Sequence, residues 1–279
     1  MGFGMSATKE QAKYKIHQEL GGIEMVEANF HRHNFSKHSH ETYTINIIES
    51  GCQRFLSAGQ NFVAPEHSII FVNADEVHTG ESGTQHGWSY RGISPTEQQF
   101  HQLASDIGFA HGFAPFFPDA VVADKQMAGE LKVLFNTLSF SSNSLLRETM
   151  LYGVLTRLML KHGKSNQVIK QQQNSNQKPA WVRQYIHEHL ADNISLEHLA
   201  NISGFTPFYL VRQFQKKYGL PPHSYQIQHR LQHSKTLLKQ GQKVVHVATQ
   251  VGFYDQSHFH RHFKKANGIT PSKYANQVL

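Results

Sequence analysis

The 279-residue chain has a single cysteine, Cys52. It cannot close an internal disulfide, which excludes a small secreted fold stapled by bridges. No apolar run approaches the roughly 18 residues of a membrane helix, which excludes a helical span. Residues 1–20 are polar and lack the apolar core of a signal peptide, so a soluble cytoplasmic protein is expected. Acidic residues are scarce where basic ones gather. Between 178 and 273 there are thirteen Lys and Arg, against Glu188, Asp192, Glu197 and Asp255 alone. The whole chain carries 27 basic and 20 acidic residues, a net charge of +7. The excess points to a polyanionic partner and places it at the second half. At 100–200 residues per domain, roughly two domains are expected.

One pattern occurs twice in the last hundred residues. Leu199-Ala200, Gly204-Phe205, Arg212, Phe214, Gly219, Pro222 and Tyr225 return as Val247-Ala248, Gly252-Phe253, Arg261, Phe263, Gly268, Pro271 and Tyr274. Glycine supplies a tight turn because it accepts positive φ without steric cost. Ser195 is placed to cap a helix over 196–202. A second helix starts at Thr206, with Pro207 in its first turn where a missing N–H costs nothing. These are two helix-turn-helix units. A long helix over about 222–239 joins them as a rod, so that each recognition helix enters a successive major groove, about 34 Å apart. In the second unit, 244–251 is the supporting helix and 255–265 the recognition helix, with Asp255 as its cap.

The expected DNA-facing residues are Phe208, Val211, Arg212, Gln215 and Lys216 in the first unit. In the second they are Gln256, Ser257, His258, His260, Arg261, Lys264 and Lys265. Arginine pairs bidentately with guanine and glutamine with adenine. Lys216, Lys217, Lys264 and Lys265, at the helix ends, suit phosphates. Arg212 and Arg261 hold equivalent places in the repeat; the structural alternative is that they cap or form salt bridges. RNA is disfavoured as partner, because the A-form major groove is too narrow for a recognition helix.

The first half reads differently. Residues 36 to about 95 form short β-branched and apolar runs broken by Ser50-Gly51, Gly59-Gln60-Asn61, Pro65 and Asn73-Ala74-Asp75, as in a small barrel or sandwich. From about 124 the period becomes helical. Leu131, Leu134, Phe135 and Leu138 share one face, as do Leu151, Val154, Leu155, Leu158 and Met159. The latter helix packs on the barrel or makes a dimer seam. The stretch 163–178 is Gln- and Asn-rich and reads as a linker. A helix over about 181–190 follows, with Trp181, Tyr185, Ile186 and His189 on one side. The expected fold is thus α+β in two domains: a cupin-like β-barrel with trailing helices (1–162), a flexible linker (163–178) and an all-α double helix-turn-helix domain (179–279).

On these motifs, residues 179–279 resemble the double helix-turn-helix domain of the AraC/XylS family of transcription regulators. The most specific part runs Ala248, Gly252-Phe253, Phe259, Arg261, Phe263-Lys264-Lys265, Gly268, Thr270-Pro271 and Tyr274. The resemblance implies promoter binding and contact with RNA polymerase, usually as an activator, by a dimer. Val211 stands where family members often carry a polar reader, and His258 and His260 are further departures.

The first half resembles the cupin-like effector domain of that family through His38-Ser39-His40-Glu41-Thr42-Tyr43, the Glu49-Ser50-Gly51 turn and the stretch from Asn73 to Gly80. His38 and His40, two apart on a strand, face the same way, and His78 sits where cupins place another metal histidine. The glutamate that completes the cupin set is replaced at Thr44-Ile45, which favours an organic effector over a metal. The expected ligand-binding residues are His38, His40, Tyr43, His78, Trp88, Tyr90 and Arg91. Arg91 suits a carboxylate and Trp88 an apolar or cationic group, as in an amino acid or small organic acid. No cofactor and no catalytic residue are implied. Cys52 has only Arg54 nearby and reads as an inert thiol. The expected function is a ligand-responsive, DNA-binding transcription regulator. The rivals are a metal-dependent cupin enzyme fused to a DNA-binding domain and a constitutive binder whose barrel only dimerises.

Overall fold

The computed structural model describes residues 10–107, 114–165 and 178–279. Of the expected linker, residues 166–177 lie outside the described residues, as do residues 1–9 of the polar N-terminus.

The first half is a strand domain. Strands β1 (Gln11–His17), β2 (Ile23–Phe30), β3 (Phe35–His38), β4 (Thr44–Ser57), β5 (Gln60–Pro65), β6 (Ile69–Val72), β7 (His78–Ser82) and β8 (Trp88–Ser94) are followed by helix α1 (Glu97–Asp106) and the short strands β9 (Pro115–Phe116) and β10 (Val121–Val122). The main sheet runs in the order β1-β2-β8-β4-β6-β10. The 14-residue β4 passes out of it into a second layer, where its C-terminal half pairs with β5 and β7, and β7 pairs with β3. The expected barrel is therefore an open sandwich, because β1 and β10 at the edges of the main sheet do not pair. The β1 edge is covered by the other half of the molecule: the backbone N–H of Tyr14 donates to Gln277 and the Gln277 amide donates to the Ala12 carbonyl. Such cover removes an exposed strand edge.

Helices α2 (Lys125–Phe140) and α3 (Ser144–His162) pack on the outer face of the sheet. Leu131, Leu134, Phe135 and Leu138 meet Leu151, Val154, Leu155, Leu158 and Met159 there, over Ile45, Ile47 and Phe71. This buries every apolar residue once read as a dimer seam, so that face belongs to the core. Capping holds both helices: Asp124 accepts from Met127 N–H and Asn143 from Leu146 N–H.

The second half is helical: α4 (Lys178–Glu188), α5 (Leu196–Ser203), α6 (Pro207–Tyr218), α7 (Pro222–Lys239), α8 (Val244–Gln250), α9 (Gln256–Asn267) and α10 (Pro271–Val278). Thr206 and Asp255 cap the two recognition helices, α6 and α9, as expected. In α4 the inner face is Val182 and Ile186, four apart, and Trp181 is left 53 % exposed. The one-residue difference is a rotation of about 100° on a helix, enough to exchange faces. None of the described helices is long and apolar enough to cross a membrane.

Three apolar cores result. One lies between the sheet and α2–α3. A second belongs to the first helix-turn-helix unit, Val182, Ile186, Leu199, Leu210, Phe214 and Tyr225 among it. The third is shared: Phe30, Ile48, Ile70 and Trp88 from the strands run into Leu231 and Leu238 of α7 and into Phe253, Phe259, Phe263 and Tyr274 of the second unit.

Candidate effector pocket and nucleic-acid interface

The inner face of the strand layer holds a cavity of about 150 Å³. β3 and β7 pair with His38 opposite His78, and His40 follows two residues on. The ring centroids of His38 and His78 are 4.2 Å apart and those of His40 and His78 4.9 Å. Each Nδ1 is tied to a backbone carbonyl: His38 to Ser36 at 2.8 Å, His40 to Thr42 at 2.8 Å and His78 to Glu76 at 3.0 Å. A carbonyl only accepts, so each Nδ1 carries the proton and each Nε2 has a lone pair, that of His40 accepting from the Thr44 hydroxyl at 3.1 Å. Burial, and the neighbouring imidazole, lower His38 and His78 to about 3 and His40 to about 4. All three are neutral at pH 7. Three converging neutral imidazoles, oriented through their other nitrogens, are the donor set that a transition metal takes. They serve equally as acceptors for a polar ligand.

The roof of the cavity comes from the helical half. Gln228, Leu231, Gln232 and Lys235 of α7 and Ala266 and Asn267 of α9 close it. The carbonyl oxygens of Asn46, Gln53 and Gln232, all lining residues, are buried without a hydrogen-bond partner. Asn46 fits because residue 92 is glycine; a Cβ there would lie 1.8 Å from Asn46 Oδ1. Beside them lies a buried ionic group. Glu24 accepts from Lys235 at 2.6 Å and from the Tyr274 hydroxyl at 2.6 Å, with Lys239 at 3.1 Å. Burial alone raises a carboxyl, but the two ammonium groups overcome it and hold Glu24 at about 2. Of these cations Lys235 lines the cavity with Glu24, and Lys239 lies outside its lining.

Four of the seven residues expected to bind a ligand thus line the cavity: His38, His40, His78 and Tyr90. The other three lie elsewhere. Tyr43 faces the α2–α3 core and donates to the Pro115 carbonyl at 2.8 Å. Arg91 follows Tyr90 on the strand and points to the opposite face. There it donates to Glu49 at 2.9 Å and to Asn136 at 2.7 Å, pinning α2 to the sheet. Trp88 fills the shared core beside Phe30, centroids 5.5 Å apart. Missing from the sequence reading were Glu24, Asn46, Gln53, Gln232 and Lys235. None sits in a local motif, and Gln232 and Lys235 join the three strand residues only because α7 lies over the sheet.

The predicted DNA residues fall on two faces. Phe208, Val211, Arg212, Gln215 and Lys216 line one shallow concavity on α6. Gln256, Ser257, His260, Arg261 and Lys264 line another on α9. Phe208 is 79 % exposed, an apolar tip left mostly open to solvent. Arg212 and Arg261 are exposed, and neither enters an ion pair among the described residues. His258 turns away: its Nε2 lies 2.9 Å from that of His262, and its ring packs near Phe253. Lys265 is exposed but lies off the concavity, on the side of His33. The Lys217 ammonium lies over the Tyr218 ring.

Arg230 welds the two units together. From the middle of α7 it donates to the carbonyls of Leu190, Asp192 and Gly252 at 2.6–2.8 Å. Gly252, at φ +84°, presses against Ala191, whose carbonyl oxygen would lie 2.3 Å from a Cβ. The relative placement of the two heads is therefore built into the domain.

Two family models match this chain: the AraC-like ligand binding domain over residues 20–155 and a helix-turn-helix domain over residues 199–277. The chain belongs to the AraC family of transcriptional regulators. Among relatives of this AraC-family regulator, the HTH-type transcriptional regulator YbfI of Bacillus subtilis is 28 % identical over 225 residues, 80 % of this chain and 81 % of that protein. The transcriptional activator RhaS of Escherichia fergusonii is 24 % identical over 246 residues, 85 % and 86 % of the two chains. Of solved structures, apo ToxT of Vibrio cholerae superposes with a TM-score of 0.59 at 13 % identity, over 92 % of this chain and 98 % of ToxT. An unsaturated fatty acid-bound ToxT gives a TM-score of 0.56 at 14 % identity, over 99 % and 98 %. These two likenesses establish the fold. The AraC-family chain is a ligand-responsive, DNA-binding transcription regulator.

Proposed function

We propose that the effector is a small carboxylic acid carrying hydrogen-bond donors, an amino acid being the simplest case, and that it acts by altering how the two halves dock. The observation that carries this is the shared cavity: strands form its floor and the DNA-binding half its roof. A ligand there touches both domains at once and has differential affinity for docked and undocked states, which is what a population shift requires. The Lys235 ammonium at the lining suits a carboxylate, with Lys239 sharing the charge of Glu24 from outside it. The unpartnered oxygens of Asn46, Gln53 and Gln232 and the Nε2 atoms of His38 and His78 suit donors such as an ammonium group. A cavity of about 150 Å³ holds roughly a benzene-sized molecule. It is too small for the long chain of a fatty acid such as that named for ToxT.

On the DNA side, the two exposed faces on α6 and α9 read successive major grooves through Arg212, Gln215, Gln256 and Arg261, with Lys216 and Lys264 on phosphates. Dimerisation is supported by exposed apolar side chains along α2 and α3: Val133, Phe140, Leu145, Leu146, Tyr152 and Leu160. The family supports contact with RNA polymerase, activation of transcription and a cytoplasmic, non-catalytic role. A metal held by the three pocket histidines is the second reading, favoured by their three Nδ1–carbonyl bonds.

Calorimetric titration of the full chain with amino acids and small organic acids tests the effector. Binding of one carboxylate class is expected, lost in Lys235→Met and accompanied by a changed affinity for promoter DNA. Binding that survives Lys235→Met, or a response confined to metal ions, overturns it.

A further inference from the structure

A second cluster of metal-type ligands lies between the two halves, away from the cavity's three histidines. Glu41 belongs to the loop after β3, His187 to the last turn of α4 and His229 to the middle of α7. One ligand atom from each lies within 4.8 Å of the other two. His229 Nδ1 and Glu41 Oε1 are 3.4 Å apart. That is long for a charge-assisted hydrogen bond. It matches the separation of about 3.4 Å between two ligands of one tetrahedral ion with bonds of roughly 2.0–2.1 Å.

The surroundings fit as well. His229 is 3 % exposed, yet its Nε2 has no hydrogen-bond partner. With an ion on Nδ1, beside the Glu41 carboxylate, Nε2 carries the ring proton. The rings of His187 and His229 are 4.1 Å apart between centroids. His187 Nε2 is 3.0 Å from the Tyr225 hydroxyl, and Arg183 donates to that same oxygen at 2.7 Å. The oxygen can accept from Nε2–H as well, which leaves Nδ1 of His187 free to ligate. This is the outer-shell support that metal-bound histidines use. The nearby Arg183 charge is offset by Asp75 at 2.6 Å, and Glu188 lines the same cleft. Water has access, because Glu41 and His187 are exposed.

We propose that Glu41, His187 and His229 form a divalent transition-metal site, zinc by ligand type, that latches the first helix-turn-helix unit to the strand domain. Two imidazoles and one carboxylate, with an open fourth position for water, are a zinc ligand set. The three ligands come from three elements in both halves, so occupancy crosslinks them. The latch would act where the halves otherwise meet through polar contacts.

Zinc and cobalt titrations of the full chain test this, followed by calorimetry and by the visible absorption of cobalt. The His38→Ala/His78→Ala double variant removes the other imidazole cluster and serves as background. One equivalent is expected to bind in that background. Glu41→Ala and His187→Ala, both exposed and so tolerated by the fold, should each weaken it by at least roughly tenfold. Hydrogen exchange across α4 should slow with zinc in the parent and not in Glu41→Ala. No metal binding in the double variant, or binding indifferent to Glu41 and His187, overturns the site. Binding that leaves exchange in α4 unchanged overturns the latch.

Discussion

The two helix-turn-helix units share one sequence pattern but meet the strand domain in different ways. The second is fused to it. Phe253, Phe259, Phe263 and Tyr274 continue the apolar core of the inner sheet face, and Phe30 presses on Gly268 at the end of α9. Tyr14 donates to the Asn267 carbonyl at 2.9 Å, and Tyr274 reaches Glu24. The first unit has a core of its own, to which the strand domain adds only the half-buried Val77. Its other ties are polar: Arg183 to Asp75, and His229 to Glu41. Apolar fusion resists separation in proportion to buried area, whereas exposed ion pairs contribute little and yield to salt. The second head is therefore held to the strand domain by apolar packing, whereas the first meets it through weaker contacts and is tied to the second through Arg230.

This contrast can be broken at four points. The largest effect is expected at Glu24. Glu24→Ala leaves Lys235 in the interface without its carboxylate, and removing one partner of a buried pair costs about 3–5 kcal/mol. Urea unfolding of the full chain should register that loss; a change below 1 kcal/mol would show that the two halves do not depend on this group.

Acid should act on the same carboxylate. Its folded pKa, about 2, lies below the ordinary 4.5, so its contribution is fully present above about pH 4.5. It is lost as pH falls from there through 2, because the unfolded chain then binds the extra proton. Stability of the parent should drop across that window by more than that of Glu24→Gln. Parallel pH profiles for the two proteins would remove the basis for the assignment.

A smaller effect belongs to the reading heads. Arg212→Ala and Arg261→Ala should each relax discrimination at one base position, by about 1–3 kcal/mol. Binding to a panel of single-base operator variants measures it. Equal losses on every sequence would make these arginines phosphate contacts. The smallest effect is expected for Asp75→Ala. An ion pair with both partners more than a third exposed is worth about 0–1 kcal/mol. If Asp75→Ala matched Glu24→Ala in urea, the two heads would be held alike and the contrast would fail.

Much of the DNA-binding half was legible in the chain. Caps at Ser195, Thr206 and Asp255, the turn glycines and the joining helix all fall where spacing put them, because helix ends and tight turns are set by local chemistry. Most of the residues expected to face DNA share one exposed side of α6 or α9, since a helical period assigns sides. His258 was an exception: a contact with His262, one turn on, takes it off the concavity on α9. The strand domain was legible in part. β1 and β2 were not anticipated, and the strand layer is an open sandwich whose β1 edge is covered by α10. In the pocket, the paired histidines were readable from their spacing of two. Arg91 was not, because its exit to the far face depends on the register of β8 against its neighbours.

The amino-acid sequence by itself determined the duplicated helix-turn-helix, the basic half, the strand-to-helix order and the shared facing of His38 and His40. Each rests on interactions among residues close along the chain. Only the tertiary structure decided that α7 roofs the cavity, that Lys235 and Glu24 meet across 211 residues, and that Glu41, His187 and His229 converge between the halves. Those pairings depend on how two independently patterned surfaces dock. Docking is chosen by the summed fit of side chains distant in sequence, which no local period or spacing encodes.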